Sequence, residues 1–435
     1  MTKFVPFLKA VPDIALQALW LKATDGVYVD GGSTLATDGQ TVQQWNDQTA
    51  NVRHATQGTS GSRPTYRATG FNGLPGVEFT EWKDMATASF LDAAYDAAAT
   101  LFYIGEMTST GQHWAVGEAD GQLGLAECDE WNRFDAANTG SPTYWYRGAQ
   151  TVGAGNIRCV GISYDGTTMR TIINGHLIKE ARTGALGAAG VLTIGTRTGL
   201  SAWWEGVIGE VALWNSAATD AQMRATCAAM LARWGAAAPT TRKVIAYVGD
   251  SQTYYAGEGG RWPQVIASAI GHVNQSHTIV ATGGASLAFI GSIAAAWVDP
   301  VYDATATLNV NLIWAGTNDL AGGETGAAVW ASLQSYCNAR RAAGWDKIIV
   351  LTALPRSAVG DNAGHEALRQ AFNTLVRTNY ASIADGLADV AADSRIGDDG
   401  DELDTTYYDA DRVHLNTAGH AVVAGIVQPI LEGVL

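Results

Sequence analysis

The chain has 435 residues, of which 47% are hydrophobic and 16% charged, and a formal net charge of −15. That length exceeds one ordinary core and predicts two domains or more, while the acidity argues against a nucleic-acid backbone or an anionic membrane surface as partner. No apolar run is long enough to span a bilayer, and the opening Met-Thr-Lys-Phe-Val-Pro-Phe-Leu-Lys lacks the apolar region and cleavage site of a signal peptide. A soluble protein is expected and, if it acts outside the cell, exit by lysis, by dedicated secretion or as part of a particle.

The first 234 residues are rich in Gly, Thr and Trp, and ten of the fifteen tryptophans precede Lys243. Strand-like runs at 100–105, 157–164 and 169–173 are broken by turns. Asn174-Gly175, between the apolar runs 170–173 and 176–178, is a two-residue hairpin signal. Many short strands with frequent turns predict an all-β antiparallel sandwich. Residues 219–234 have helical spacing, with Thr219 or Asp220 as the N-cap. Most of the tryptophans belong in the sandwich core; Trp131, Trp145 and Trp203 are the candidates for exposed rings that stack on sugars.

Residues 235–242 are small, contain Pro239 and carry no pattern, which marks a linker. From 243 to 435 the period changes. Apolar runs at 244–248, 278–281, 308–314, 347–354 and 387–391 alternate with helical segments at 262–270, 287–297, 327–343, 366–380 and 418–431. That alternation predicts an α/β/α three-layer sandwich around a five-stranded parallel sheet.

The run Val244-Ile-Ala-Tyr-Val-Gly-Asp-Ser251 stops abruptly at Gly249 and presents Ser251 at a strand's carboxyl end, where functional groups of open α/β sheets collect. Asp411 stands three residues before His414, a spacing that lets the carboxylate hold one ring nitrogen while the other faces a serine. Asn318, after the third strand, offers an amide donor, and Gly284, after the second, allows close approach of a backbone N–H to a substrate oxygen. Asp250 beside the serine is expected to hydrogen-bond structurally. Tyr254 and Tyr255 are placed to wall a substrate pocket, and Trp262 is open between pocket and core. His272, His277, His365 and His420 are assigned to surface or packing. Cys128, Cys159, Cys227 and Cys337 show no C-x-x-C spacing, so neither a zinc site nor a disulfide framework is expected. Asp398-Asp-Gly-Asp-Glu402 does not match the EF-hand spacing and is expected to be a solvated acidic loop.

Two resemblances attach to these residues. Leu19-Trp-Leu-Lys-Ala-Thr-Asp25, Trp45-Asn-Asp-Gln48, Arg63-Pro-Thr-Tyr66, Asn72-Gly-Leu-Pro-Gly-Val-Glu-Phe79 and Gly206-Val-Ile-Gly-Glu-Val-Ala-Leu-Trp214 resemble a LamG-like, concanavalin A-type jelly roll. That family implies carbohydrate or surface binding, in some members with calcium. Gly249-Asp-Ser251, Gly284 (with Gly283 the next-best alignment), Gly316-Thr-Asn318-Asp319 and Asp411-x-x-His414 resemble, in order, the four blocks of the SGNH (GDSL-type) hydrolases. Gln252 departs from that pattern, where leucine is common, and Thr282 stands where asparagine often does. The resemblance implies Ser251 as nucleophile, His414 as base, Asp411 as its partner, and Ser251 N–H, Gly284 N–H and Asn318 as oxyanion donors, with no cofactor. A sugar-binding type of domain before an esterase makes an acetylated glycan the expected substrate. The arrangement resembles bacteriophage tail proteins that deacetylate host capsule. A general acyl-ester hydrolase and a non-catalytic attachment protein are the alternatives.

Overall fold

The structure, a computed structural model, describes residues 17–435 apart from 109–111, 119–122, 129–145, 150–156, 182–185, 187–189, 197–202, 237–241, 255–259 and 272–273. Trp131, Trp145, Tyr255, His272 and most of the expected linker therefore lie outside the described residues. The chain divides into two compact units, each taken by itself below.

The first unit holds two antiparallel sheets. Strand Gly206–Trp214 runs between Ala99–Met107 and Leu74–Phe79 in the larger sheet and also pairs with Gln17–Lys22. All nine of its residues are buried, as expected of a strand covered on both faces. Helix Asp220–Arg233 lies on this sheet, against Ile157–Tyr164 and Thr168–Ile173. It starts where expected, with Thr219 as N-cap and Gln222 closing a capping box. The buried Glu210 carboxylate is satisfied by Trp20 Nε1 at 2.7 Å, Trp234 Nε1 at 2.8 Å and Arg233 Nε at 3.0 Å, the pairing that a buried charge requires. Asn174 and Gly175 both have positive φ (46° and 92°), so the expected hairpin closes through a type I′ turn between Thr168–Ile173 and His176–Ala181.

Trp45, Trp204, Trp214 and Trp234 fill the core of this unit. Trp203 is only half-buried. Its ring meets that of Trp82, 5.3 Å away between centroids, and it is Trp82 that stands 59% exposed, in a turn where its φ is +67°.

The second unit contains the five parallel strands that the alternation predicts: β1 (Lys243–Gly249), β2 (Gln275–Ala281), β3 (Leu308–Trp314), β4 (Lys347–Leu351) and β5 (Gly386–Ala388), in the spatial order β2-β1-β3-β4-β5. A sixth strand, Tyr146–Ala149, extends this sheet antiparallel to β2, although its sequence lies in the sandwich half of the chain. Successive β1 side chains point to opposite faces. Val244, Ala246 and Val248 pack in one layer with α3 (Leu287–Trp297) and α5 (Gly326–Ala342). Ile245 and Tyr247 pack in the other with α2 (Trp262–Ile270) and α7 (Thr417–Val434). Between these helices lie the short α1 (Ser251–Tyr254) and α4 (Thr317–Ala321), and α6 (His365–Asn379).

Gly249, the last residue of β1, has no room for a side chain. A Cβ there would lie 2.2 Å from Thr253 Oγ1 and 2.3 Å from the Trp314 carbonyl oxygen. The Gly249→Ala variant is expected to lose about 1–3 kcal/mol from the unfolding free energy of this unit, measured as a lower denaturation midpoint with an unchanged m-value.

Candidate active site

The site follows from strand register. Gly249 pairs with Ala281 of β2 on one side and with Trp314 of β3 on the other, so three carboxyl ends are level. The chain passes from β1 to β2 on one side and returns to β3 on the other, which makes this edge the switch point where open α/β sheets bind ligands. The segments leaving the three strands carry Ser251, Gly284 and Asn318.

Ser251 is the first residue of α1 and is 8% exposed. The segment after β2 is tied back to β1 by the Thr282 N–H, which donates to the Gly249 carbonyl at 3.1 Å. Gly284 is exposed with φ +69°, and a Cβ there would meet nothing within 4 Å, so backbone conformation rather than space calls for glycine. After β3, Gly316 turns at φ +112° into α4, which carries Asn318 and Asp319. Asn318 Nδ2 donates to the Ala285 carbonyl at 3.0 Å and to Asp250 Oδ2 at 3.3 Å. Both Asp319 oxygens accept the Leu287 N–H, at 3.1 and 2.9 Å. The three segments are thus cross-linked by polar contacts.

Asp411 and His414 sit on a tight turn before α7, closed by the Asp409 N–H on the His414 carbonyl at 2.8 Å, with Arg412 at φ +59°. Asp411 Oδ2 lies 2.6 Å from His414 Nδ1, and Oδ1 accepts the N–H groups of Val413 (2.9 Å) and His414 (3.0 Å). Burial alone would raise this carboxyl, but the backbone and ring hydrogen bonds of His414, with that of Val413, outweigh it and hold Asp411 below the ordinary value. An ionised carboxylate only accepts, so Nδ1 is the donor. The turn is brought to the serine by Gln252: its buried Nε2 donates to the Val413 carbonyl at 2.7 Å. The glutamine that departs from the common leucine is therefore a polar strut between the residues flanking Ser251 and His414.

Asp250 is fully buried. Its Oδ1 accepts the Gln252 N–H at 2.9 Å, and desolvation, reinforced by the Asp319 charge, pushes its pKa up to about 7. The expected structural role fits these contacts. Trp262 is core: it is fully buried, with its ring 5.2 Å from that of Tyr247 and 6.0 Å from that of Trp314. The side chain of Tyr254 lies outside the described residues, as does Tyr255. His277 pairs with the Tyr247 hydroxyl at 2.9 Å, buried His365 feels the charges of Arg356 and Asp361, with burial and the arginine lowering its pKa, and buried His420 Nδ1 accepts the Trp262 N–H at 3.4 Å. In the acidic loop, Asp401 Oδ2 accepts the Asp398 N–H at 2.8 Å, and among the described residues no group of three or more His, Cys, Asp or Glu could hold a metal ion. Cys159, Cys227 and Cys337 are buried free thiols. The site also contains Arg356, which follows β4 and which no motif marked. Its Nη1 donates to Asn318 Oδ1 at 3.2 Å.

Residues 247–422 match the GDSL-like Lipase/Acylhydrolase family, and residues 92–224 match the Concanavalin A-like lectin/glucanases superfamily. No curated protein sequence matches. Among solved structures, a member of the lipolytic protein G-D-S-L family from Veillonella parvula is 19% identical, with 44% of this chain and 98% of that one covered at a TM-score of 0.34. An acetyl esterase variant with an acetate ion is 21% identical, with 45% and 98% covered at 0.34. A carbohydrate acetylesterase family member from Sinorhizobium meliloti is 18% identical, with 44% and 98% covered at 0.33.

The raised pKa of Asp250 gives a pH dependence with a definite sign. A carboxyl whose folded pKa is about 7 binds a proton that the unfolded chain has already released above about pH 4. Its contribution to stability is therefore full in acid and is lost as pH rises through 4 to 7. In the Asp250→Asn variant that part of the slope is expected to vanish, measured as denaturation midpoints from pH 4 to 8.

Proposed function

The chain carries a GDSL-like acylhydrolase domain behind a concanavalin A-like one, and from that premise we propose a serine esterase that removes acyl groups, acetyl above all, from a carbohydrate. The first domain attaches the protein to a glycan or another surface. The observation that carries the catalytic part is the 2.6 Å Asp411–His414 contact on a turn strutted by Gln252 to the serine's own turn.

His414 Nε2 takes the proton from Ser251 Oγ as the oxygen attacks the ester carbonyl, and Asp411 stabilises the imidazolium that forms. The N–H groups of Ser251 and Gly284 receive the oxyanion together with the Asn318 amide, whose Nδ2 gives up its long 3.3 Å contact with Asp250 for the substrate oxygen. His414 then protonates the departing sugar oxygen, and water, activated by the same imidazole, releases the acid from the acyl-enzyme. An exposed indole supports the carbohydrate: Trp82, half-backed by Trp203, offers a broad apolar face of the kind on which a pyranose ring stacks.

The decisive experiment is acetate release from a panel of O- and N-acetylated glycans, beside p-nitrophenyl acetate, with Ser251→Ala as control. Release from a glycan that disappears in the variant is expected; hydrolysis of p-nitrophenyl acetate alone would keep the esterase and remove the sugar. Asn318→Ala is expected to lower turnover by about 10²–10³. Trp82→Ala is expected to weaken retention on the glycan by about 3- to 10-fold, read by affinity electrophoresis, without moving the unfolding midpoint.

A further inference from the structure

An amide side chain can serve as an oxyanion donor only with the correct edge forward. Asn318 has an acceptor edge, Oδ1, and a donor edge, Nδ2, and a 180° flip would present an oxygen to the developing negative charge. A guanidinium has donors only, so it can pair with Oδ1 alone. Arg356 Nη1 is on that oxygen at 3.2 Å. The guanidinium is itself fixed: its Nε and Nη2 pair with the two oxygens of Asp361 at 2.9 and 2.8 Å, and both side chains are nearly buried, at 11% and 12% exposure.

The segment that carries this pair is braced within itself, where Asp361 Oδ2 also accepts the Ala358 N–H at 2.9 Å, and is anchored at two places. The Asn362 N–H donates to the Ala321 carbonyl at the end of α4, at 2.9 Å, and the Ser357 N–H donates to the Arg412 carbonyl, inside the Asp411–His414 turn, at 3.1 Å. Segment 356–362 therefore touches both the helix that bears Asn318 and the turn that bears His414.

We propose that Arg356 is a positioning residue for the oxyanion site: held by Asp361, it fixes the acceptor edge of the Asn318 carboxamide, adding to the hold that the Ala285 carbonyl and Asp250 Oδ2 have on Nδ2, and polarises the amide. A cation on Oδ1 draws electron density from the amide and leaves the Nδ2 hydrogens more positive, which strengthens the bond to an oxyanion more than that to a neutral carbonyl. The effect falls on turnover rather than on substrate binding. It rests on the assignment of Asn318 as an oxyanion donor.

A double-mutant cycle tests it. Kinetics of p-nitrophenyl acetate hydrolysis would be measured for the full chain, for Arg356→Gln, for Asn318→Ala and for the pair. Arg356→Gln is expected to lower kcat by about 10-fold, the scale of one charge-assisted hydrogen bond, with KM within twofold. In the Asn318→Ala background the same substitution is expected to change kcat by less than twofold. Equal losses in both backgrounds would show that Arg356 merely supports the fold, and would overturn the proposal while leaving the oxyanion assignment intact. A wild-type kcat for Asn318→Ala alone would remove the oxyanion assignment itself, and this proposal with it. Arg356→Lys keeps the cation beside Asp361 and is run through the same cycle should Arg356→Gln not fold; it is expected to restore folding and only part of kcat, because an ammonium cannot span Asp361 and Asn318 as the planar fork does. Full recovery with lysine would count against orientation by the fork.

Discussion

The site depends on the register of three parallel strands about Gly249. Because Gly249 is level with Ala281 and Trp314, the segments that leave β1, β2 and β3 start from one line across the sheet. A shift of one residue in either pairing would turn every apolar side chain of that strand to the wrong layer. The register is therefore enforced by the whole core: Val244, Ala246 and Val248 on one face, Ile245 and Tyr247 on the other. The absence of a side chain at Gly249 then lets Thr253 and the Trp314 carbonyl close over the strand end. Placement of Ser251 is thus a consequence of hydrophobic packing several residues away.

From that line outward, polar contacts replace apolar ones. Gln252 reaches the Val413 carbonyl, Asp319 holds the Leu287 N–H, and Asn318 bridges Ala285 and Asp250. Loops cannot bury much apolar surface, and their backbone groups need partners wherever water is excluded. Directional hydrogen bonds between side chains and the main chain meet both needs, and they fix orientation as well as position. That is the requirement of acyl transfer, where donors must already point to where charge will develop.

Much of this was legible in the sequence because the signals were local. Short apolar runs that alternate with helical segments mark strands β1 to β5 without knowledge of any partner, and Asp411 and His414 are close enough in sequence for their contact to be foreseen. The illegible parts depend on distant partners. Tyr146–Ala149 is too short to show a period, and nothing in it says which sheet it will join. Arg356 follows a strand, as functional residues do, but its meaning comes from Asn318 and Asp361, which only the fold places around it. Trp82 lies in a charged turn, Glu81-Trp-Lys-Asp84, and its exposure follows from a positive φ that no glycine or asparagine announced.

The two buried acids of the site show why carboxylates are used there at an evident cost. Asp250 accepts from the Gln252 N–H on one oxygen and from Asn318 Nδ2 on the other, and Asp319 accepts the Leu287 N–H on both. An amide of the same size has one accepting oxygen and a donor edge, so at position 250 it would turn a donor toward one of these two N–H partners. A carboxylate can serve both, but desolvation and the mutual repulsion of two nearby acids raise Asp250 to about 7. The Gln252 N–H and, less strongly, the Arg356 cation act in the opposite direction, to lower Asp250. One guanidinium therefore stands at the meeting point of two requirements: its charge opposes protonation of a buried acceptor beside the serine, and its Nη1 holds the acceptor edge of the neighbouring amide.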